Sequence, residues 1–182
     1  TFTHLSGTTG SINQLWRDPS QTDKIYIASS NNYVSPDKTT GASLVADTDV
    51  SGKIGYDVKV SGDGSLVFLC CKQGSSFRYY VSEDFGANYT EIGSGMGIVT
   101  ACNRAESAVT DVKNDDGFFN IYVSTANGSL SGIFLSEDHG ATWTNIGPGG
   151  STLFAPFSTS LSSQGNYNNI ISHIPGKPDE CL

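Results

Sequence analysis

Ser136-Glu137-Asp138-His139-Gly140-Ala141-Thr142-Trp143 and, less perfectly, Ser82-Glu83-Asp84-Phe85-Gly86-Ala87-Asn88-Tyr89 are two versions of one octapeptide. From Asp84 to Asp138 the offset is 54 residues, a spacing that marks a repeat architecture. The register extends past the octapeptide. Tyr56-Asp57-Val58-Lys59 returns as Thr110-Asp111-Val112-Lys113, and Ile92-Gly93 returns as Ile146-Gly147. Each copy follows an apolar stretch, Tyr79-Tyr80-Val81 or Ile133-Phe134-Leu135, that has to reverse direction. A short Asp side chain accepts bonds from nearby backbone N–H groups and Gly adopts positive φ, so Asp84 with Gly86, and Asp138 with Gly140, supply a tight hairpin turn. The Tyr89 or Trp143 that follows opens the return strand and lays a large apolar face over the turn.

The pattern Ser-x-Asp-x-Gly-x-Thr-Trp resembles the Asp-box of β-propeller blades, found in sialidases, sortilin-type receptors and xyloglucanase-like glycoside hydrolases. The resemblance implies an all-β propeller of four-stranded antiparallel blades. In those families the box sits on the outer rim, away from the central channel where ligands bind. It therefore implies a structural role for Ser82, Asp84, Gly86 and Tyr89, and for Ser136, Asp138, Gly140, Thr142 and Trp143.

With that period, the chain parses into blades over about 12–50, 55–93 and 108–147. Tyr56 to Val60 reads as an innermost strand and Leu66 to Cys71 as the second, joined through Ser61-Gly62-Asp63-Gly64. Phe77 to Val81 and Asn88 to Ile92 complete that blade. The next repeats it as Val109 to Lys113, Phe119 to Ser124, Gly132 to Leu135 and Thr142 to Ile146. A more degenerate first blade contains Leu15-Trp16-Arg17-Asp18-Pro19-Ser20 and Lys24-Ile25-Tyr26-Ile27-Ala28, with a box-like stretch from Val34 to Ser43. Thr1-Phe2-Thr3-His4-Leu5 matches an outermost strand, and Thr152-Leu153-Phe154 and Asn169-Ile170-Ile171 offer strands in the tail. Residues 1–7 and 151–182 thus read as partial or closing blades. Closed propellers have four to eight blades, so three readings stay open: the tail closes a small ring, further blades of a longer chain complete it, or other copies or a partner do so.

Charge excludes some functions. A formal net charge of −8, with only three Arg and seven Lys, argues against a phosphate-binding surface, so nucleic acid is not an expected partner. There is no apolar run of membrane-spanning length, and a surface rich in Ser, Thr, Asn and Gly suits a secreted or cell-surface β protein. Asp47-Thr48-Asp49 and Asn114-Asp115-Asp116-Gly117 are oxygen-rich, yet neither has the spacing of a recognised calcium loop, so both read as turns.

Cys70, Cys71, Cys102 and Cys181 do not follow zinc spacing. Neighbours on a strand, Cys70 and Cys71 point to opposite faces, and an oxidising compartment would permit two disulfides among the four. Two sequons, Asn88-Tyr89-Thr90 and Asn127-Gly128-Ser129, are candidate N-glycosylation sites.

A catalytic reading finds little support. A sialidase resemblance would require three arginines converging on a carboxylate, whereas Arg17 precedes an Asp-Pro turn, Arg78 lies on a third strand and Arg104 reads as part of a connection. A glycosidase needs two carboxylates across a cleft. The weak candidates are Asp57 and Asp111, which open successive inner strands. They are repeat-equivalent, and equivalent positions more often serve the repeat than a reaction. His4, His139 and His173 are isolated, with His139 at a variable, exposed position of its box. No dinucleotide, Walker or metal-binding fingerprint is present, so no cofactor is expected. Trp16 reads as core, with a channel mouth, where its ring would stack on a sugar, as the alternative. The sequence thus points to a non-catalytic extracellular module binding protein or glycan partners. The alternatives are a glycoside hydrolase fragment and a subunit of an extracellular filament.

Overall fold

A computed structural model of the chain describes residues 11–20, 24–29, 33–35, 45–46, 48–93, 97–98, 100–147, 165 and 169–182. Its described residues form an all-β molecule of antiparallel sheets. Strands β1 (Ile12–Arg17), β2 (Ile25–Ser29), β3 (Tyr33–Ser35) and β4 (Val45–Ala46) make the first sheet, in chain order. The second contains β5 (Ile54–Val60), β6 (Val67–Gln73), β7 (Ser76–Ser82) and β8 (Thr90–Ile92). The third contains β9 (Arg104–Lys113), β10 (Phe119–Asn127), β11 (Ser129–Ser136) and β12 (Thr144–Asn145). A hairpin of β13 (His173–Ile174) and β14 (Lys177–Cys181) ends the chain.

The first strands carry the packing between sheets: β1 lies against β5, β5 against β9, and β9 against both strands of the hairpin. Four successive first strands thus gather on one side, as blades do around a propeller axis.

Period-two alternation in strands buried on both faces explains how the second and third sheets each join two neighbours. On β6, Phe68 and Cys70 pack with Ile121, Val123 and Trp143 of the third sheet, while Val67, Leu69 and Cys71 pack with Tyr26 and Ala28 of the first. β10 repeats the device: Ile121 and Val123 face the second sheet, and Tyr122 packs with Ala108 and Ile171 on the other side.

Several strand boundaries differ from the expectations. β9 starts at Arg104, five residues ahead of Val109, because Ala105 and Ser107 already alternate into the buried seam with the second sheet. Arg104 therefore opens a strand and does not lie in a connection. The outermost strands are short, only Thr144–Asn145 in the third sheet. Asn169 to Ile171 is not a strand; the chain instead pairs after it, reversing through Pro175 and Gly176, whose φ is 75°. The matching stretch at residues 1–5, most of the first box-like stretch, Thr152-Leu153-Phe154 and His4 fall outside the described residues.

Candidate functional site

The two octapeptides fold alike. Ser82 Oγ donates to Asp84 Oδ1 at 2.7 Å and accepts from Gly86 N at 2.9 Å, while Asp84 Oδ1 accepts from Asn88 N at 2.9 Å. In the second copy Ser136 Oγ donates to Asp138 Oδ1 at 2.8 Å, Gly140 N donates to Ser136 Oγ at 2.7 Å and Thr142 N donates to Asp138 Oδ1 at 2.8 Å. The chain turns through two left-handed residues each time, Phe85 (φ 59°) and Gly86 (76°), or His139 (57°) and Gly140 (94°). Hydrogen bonds from Asn88 and Ser82 hold the Asp84 carboxyl down at about 2. For Asp138, burial pushes the other way, but the bonds from Thr142 and Ser136 outweigh it and the carboxyl also lies below the usual range.

These turns are also joints between sheets. A β-carbon on Gly86 would sit 2.6 Å from a ring carbon of Tyr26, and one on Gly140 would sit 2.2 Å from Ile92 Cδ1, so both glycines touch the preceding sheet. Tyr26 Oη donates to the Phe85 carbonyl at 2.8 Å, and Lys24 Nζ donates to the same oxygen. His139, expected to be exposed, is half-buried: its ring stacks on Phe119, Nε2 accepts from Phe119 N at 3.0 Å, and Nδ1 meets Glu83 of the second sheet. With Nε2 accepting a backbone N–H, the ring proton belongs on Nδ1, facing the Glu83 carboxylate.

The gathered first strands bring a different set of residues together. Asp57 is 1 % exposed; Lys59 Nζ bonds its Oδ1, and Ser107 donates to its Oδ2 from N at 2.8 Å and from Oγ at 2.7 Å. Glu106 pairs with Arg104, and burial, followed by the Asp57 charge, pushes its carboxyl up to about 7 against the pull of Arg104 and Lys59. The Lys59 ammonium also lies 5.0 Å from the centroid of the Trp16 ring. Where the first strands end, Trp16, Arg17, Val60, Asp111 and His173 line an open cleft of about 450 Å³. Four consecutive sheets contribute to this axial mouth.

Asp57 and Asp111, the weak catalytic candidates, are not placed across one cleft. Asp57 is sealed in the seam between the second and third sheets, whereas Asp111 is half-exposed at the mouth, accepts from Gly176 N at 3.0 Å and lies 3.6 Å from His173 Nε2. Each thus reaches across to the sheet that follows it. The three arginines stay apart. Arg17 is at the mouth, Arg78 pairs with Glu91 on the outer side at 3.3 Å, and Arg104 is at the opposite end of β9 from Asp111.

All four cysteines are free thiols, which corrects the expected disulfides. Cys70 and Cys71 face different clusters, the Cys102 thiol is engaged with the Tyr79 hydroxyl, and Cys181 lies with the hairpin on the far face of the third sheet. Burial drives the Cys70 thiol well above its ordinary value and that of Cys102 up to about 11. Of the two sequon residues, Asn88 uses its amide nitrogen on Asp84 Oδ2 at 2.7 Å, whereas Asn127 accepts from Asn103 through Oδ1 at 2.6 Å. The Asn114 loop is a turn closed by its own side chain, which accepts from Asp116 N and Phe118 N. Asp49 of the other oxygen-rich loop accepts from Tyr89 N at 2.8 Å. Among the described residues no helix is long and apolar enough to cross a membrane.

Sequence reasoning missed Glu106, Lys59 and His173. Asp57 and Lys59 stand two apart on one strand and so share a face, a signal that was available; the partnership with Ser107, fifty residues away, had none.

No family model matches the chain, and no curated protein matches it. Among solved structures, the Niastella koreensis GH74 enzyme aligns with 72% of this chain and 22% of its own, at 22% identity and a TM-score of 0.55. The K499G mutant of NanB sialidase from Streptococcus pneumoniae aligns with 81% of this chain and 21% of its own, at 17% identity and a TM-score of 0.43. The first likeness shows a shared propeller-type fold. The chain spans about a fifth of the length of either of these chains.

Proposed function

We propose that this chain is a blade segment of a secreted, carbohydrate-acting Asp-box propeller of the glycoside-hydrolase kind, and that it contributes saccharide contacts at the axial mouth and not the reacting carboxylates. The observation that carries this reading is the position of Trp16. Its half-buried indole lines a cleft together with Arg17, Asp111 and His173, an aromatic platform ringed by polar groups of both signs. Such a surface suits a sugar, whose C–H face lies on a ring while its hydroxyls reach charged groups. The fold shared with a GH74 enzyme supports the same assignment. Against catalysis by these blades stands the bonding of Asp57, both of whose oxygens are occupied inside the seam. A buried carboxylate so bound has no open face for an anomeric carbon or a water.

The test uses the two tryptophans. Trp143 is 8 % exposed and packed in the core, so a ligand-dependent change in emission reports Trp16. Titrating the chain with a xyloglucan oligosaccharide should give a saturable change that Trp16→Phe abolishes, with no shortened product by mass spectrometry. An unchanged emission would overturn the binding reading. Product formation lost in Asp57→Asn or Asp111→Asn would overturn the assignment of chemistry to other parts of the propeller.

A further inference from the structure

A second recess lies at the other end of the first strands. β5 runs from Ile54, at this recess, to Val60, at the axial mouth, so the two openings are about 20 Å apart at the rise of an extended chain. The recess measures about 530 Å³ and is lined by Asn13, Ile54, Tyr56, Lys72 and Gly74. Its aromatic floor is Tyr56, whose ring meets that of the fully buried Phe77 edge-on, with 5.2 Å between ring centroids. Two cations lie near that ring, Lys72 among the residues that line the recess and Arg104 from β9. Lys72 Nζ is 5.5 Å from the Tyr56 centroid and 5.9 Å from that of Phe77, and the Arg104 guanidinium is 5.8 Å from Tyr56.

The charge here is not balanced. Lys72 has no carboxylate within ion-pair distance among the described residues, in a protein whose formal charge is −8. Among the described residues Arg104 has one carboxylate partner, Glu106, and its Nε is buried with no acceptor. Glu106 is shared: it faces Asp57 and Lys59 of β5 as well as Arg104 of its own strand, and burial, followed by the Asp57 charge, pushes its carboxyl up to about 7 against the pull of Arg104 and Lys59. Lys72 and Arg104, two cationic side chains over one aromatic ring with Glu106 the one carboxylate paired to either among the described residues, form a place for an anion.

We propose that this recess is an anion-binding site, taking a carboxylate or sulfate group at the Lys72 ammonium, beside the Tyr56 ring over which Arg104 also lies. Lys72 supplies the charge, the aromatic floor accommodates whatever apolar or sugar face carries the anion, and the exposed Ile54 stands at the entrance. The site is separate from the axial mouth and does not rest on the saccharide reading.

The experiment is a heteronuclear NMR titration of the labelled chain at constant ionic strength in chloride, with glucuronate, glucose and sulfate as probes. Glucuronate should shift the Tyr56, Lys72 and Gly74 signals saturably and glucose should not. Lys72→Gln should weaken binding at least about tenfold, the size of one charge-assisted hydrogen bond. Ile54→Glu, at a position 47 % exposed, places a fixed carboxylate at the entrance and should abolish binding even if Lys72→Gln folds poorly. Shifts with both glucuronate and sulfate assign the site to an anionic group on a larger molecule as well as to a free ion. Shifts with sulfate alone assign it to a free inorganic anion. Equal shifts with glucose and glucuronate, no shifts with either anion, or unchanged affinity in Ile54→Glu would overturn the proposal. Trp16 emission with the neutral oligosaccharide is read in parallel, so failure at one opening is distinguishable from failure at the other.

Discussion

The third sheet is held on its two faces by different kinds of contact. Toward the second sheet the seam is apolar, with Phe68, Tyr79, Ile121, Val123 and Trp143 in one cluster, and it encloses the Asp57–Lys59 pair. Toward the terminal hairpin it is mainly polar. Tyr122 Oη and Asn120 Nδ2 both donate to the Pro178 carbonyl, at 2.6 and 3.0 Å, Ser124 and Asn169 exchange bonds, and Asp111 receives Gly176 N. The buried apolar part of that face is small, Ala108, Tyr122 and Ile171. Apolar burial yields about 25 cal/mol per Å², whereas an intramolecular hydrogen bond nets about 1 kcal/mol because water competes for both partners. The inner seam should therefore set global stability, and the hairpin face should set a local opening.

Four experiments test that contrast. Phe68→Ala, which empties a fully buried ring site in the seam, should cost about 3–5 kcal/mol in chemical denaturation. A loss under 1 kcal/mol would mean that the seam is not the main support. Asp57→Ala leaves the Lys59 ammonium buried without its partner and should cost about 3 kcal/mol, with the double replacement Asp57→Leu/Lys59→Met recovering most of it. If the double variant is no better than the single, the pair does more than neutralise itself.

Across the other face, Tyr122→Phe removes one donor to Pro178 and should cost about 1 kcal/mol. Hydrogen exchange should quicken in β14 while β6 stays protected; equal acceleration in both would erase the distinction. The smallest effect concerns acid. The folded Asp84 carboxyl, at about 2, lies below its unfolded value, so its contribution is complete above about pH 4 and is lost as pH falls toward 2. Asp138 shifts in the same direction. Asp84→Asn should flatten the acid limb of the stability curve, and an unchanged limb would assign that lability elsewhere.

The repeat made much of this fold legible. Asp84, Gly86, Asp138 and Gly140 announced two turns because their chemistry is local, acting within four residues. The opposed directions of Cys70 and Cys71 also followed from strand geometry alone. What failed were features decided across sheets. His139 is half-buried because Phe119 and Glu83 approach it from other strands, and the thiols stay free because their directions are set by which cluster each joins. The closing hairpin was obscured by Pro178, Asp179 and Glu180, residues with poor strand propensity that pair because the third sheet holds them. At the axis, Trp16 read first as core, and it does pack against the cluster between the first two sheets while also lining the cleft, whereas Glu106 and His173 carry no local signal and gain meaning only from the strands that meet them.

Strand β6, whose alternate side chains enter two different cores, has a further consequence for how the molecule assembles. A sheet of this kind cannot become dry alone: whichever neighbour docks first, the opposite side of β6 still waits in water. Folding should then propagate outward from the central pair of sheets, with contacts between residues far apart in sequence formed late and slowly. The chain would behave less like a set of independent hairpins than like a row of dominoes, in which cooperativity runs from neighbour to neighbour and weakens toward each end.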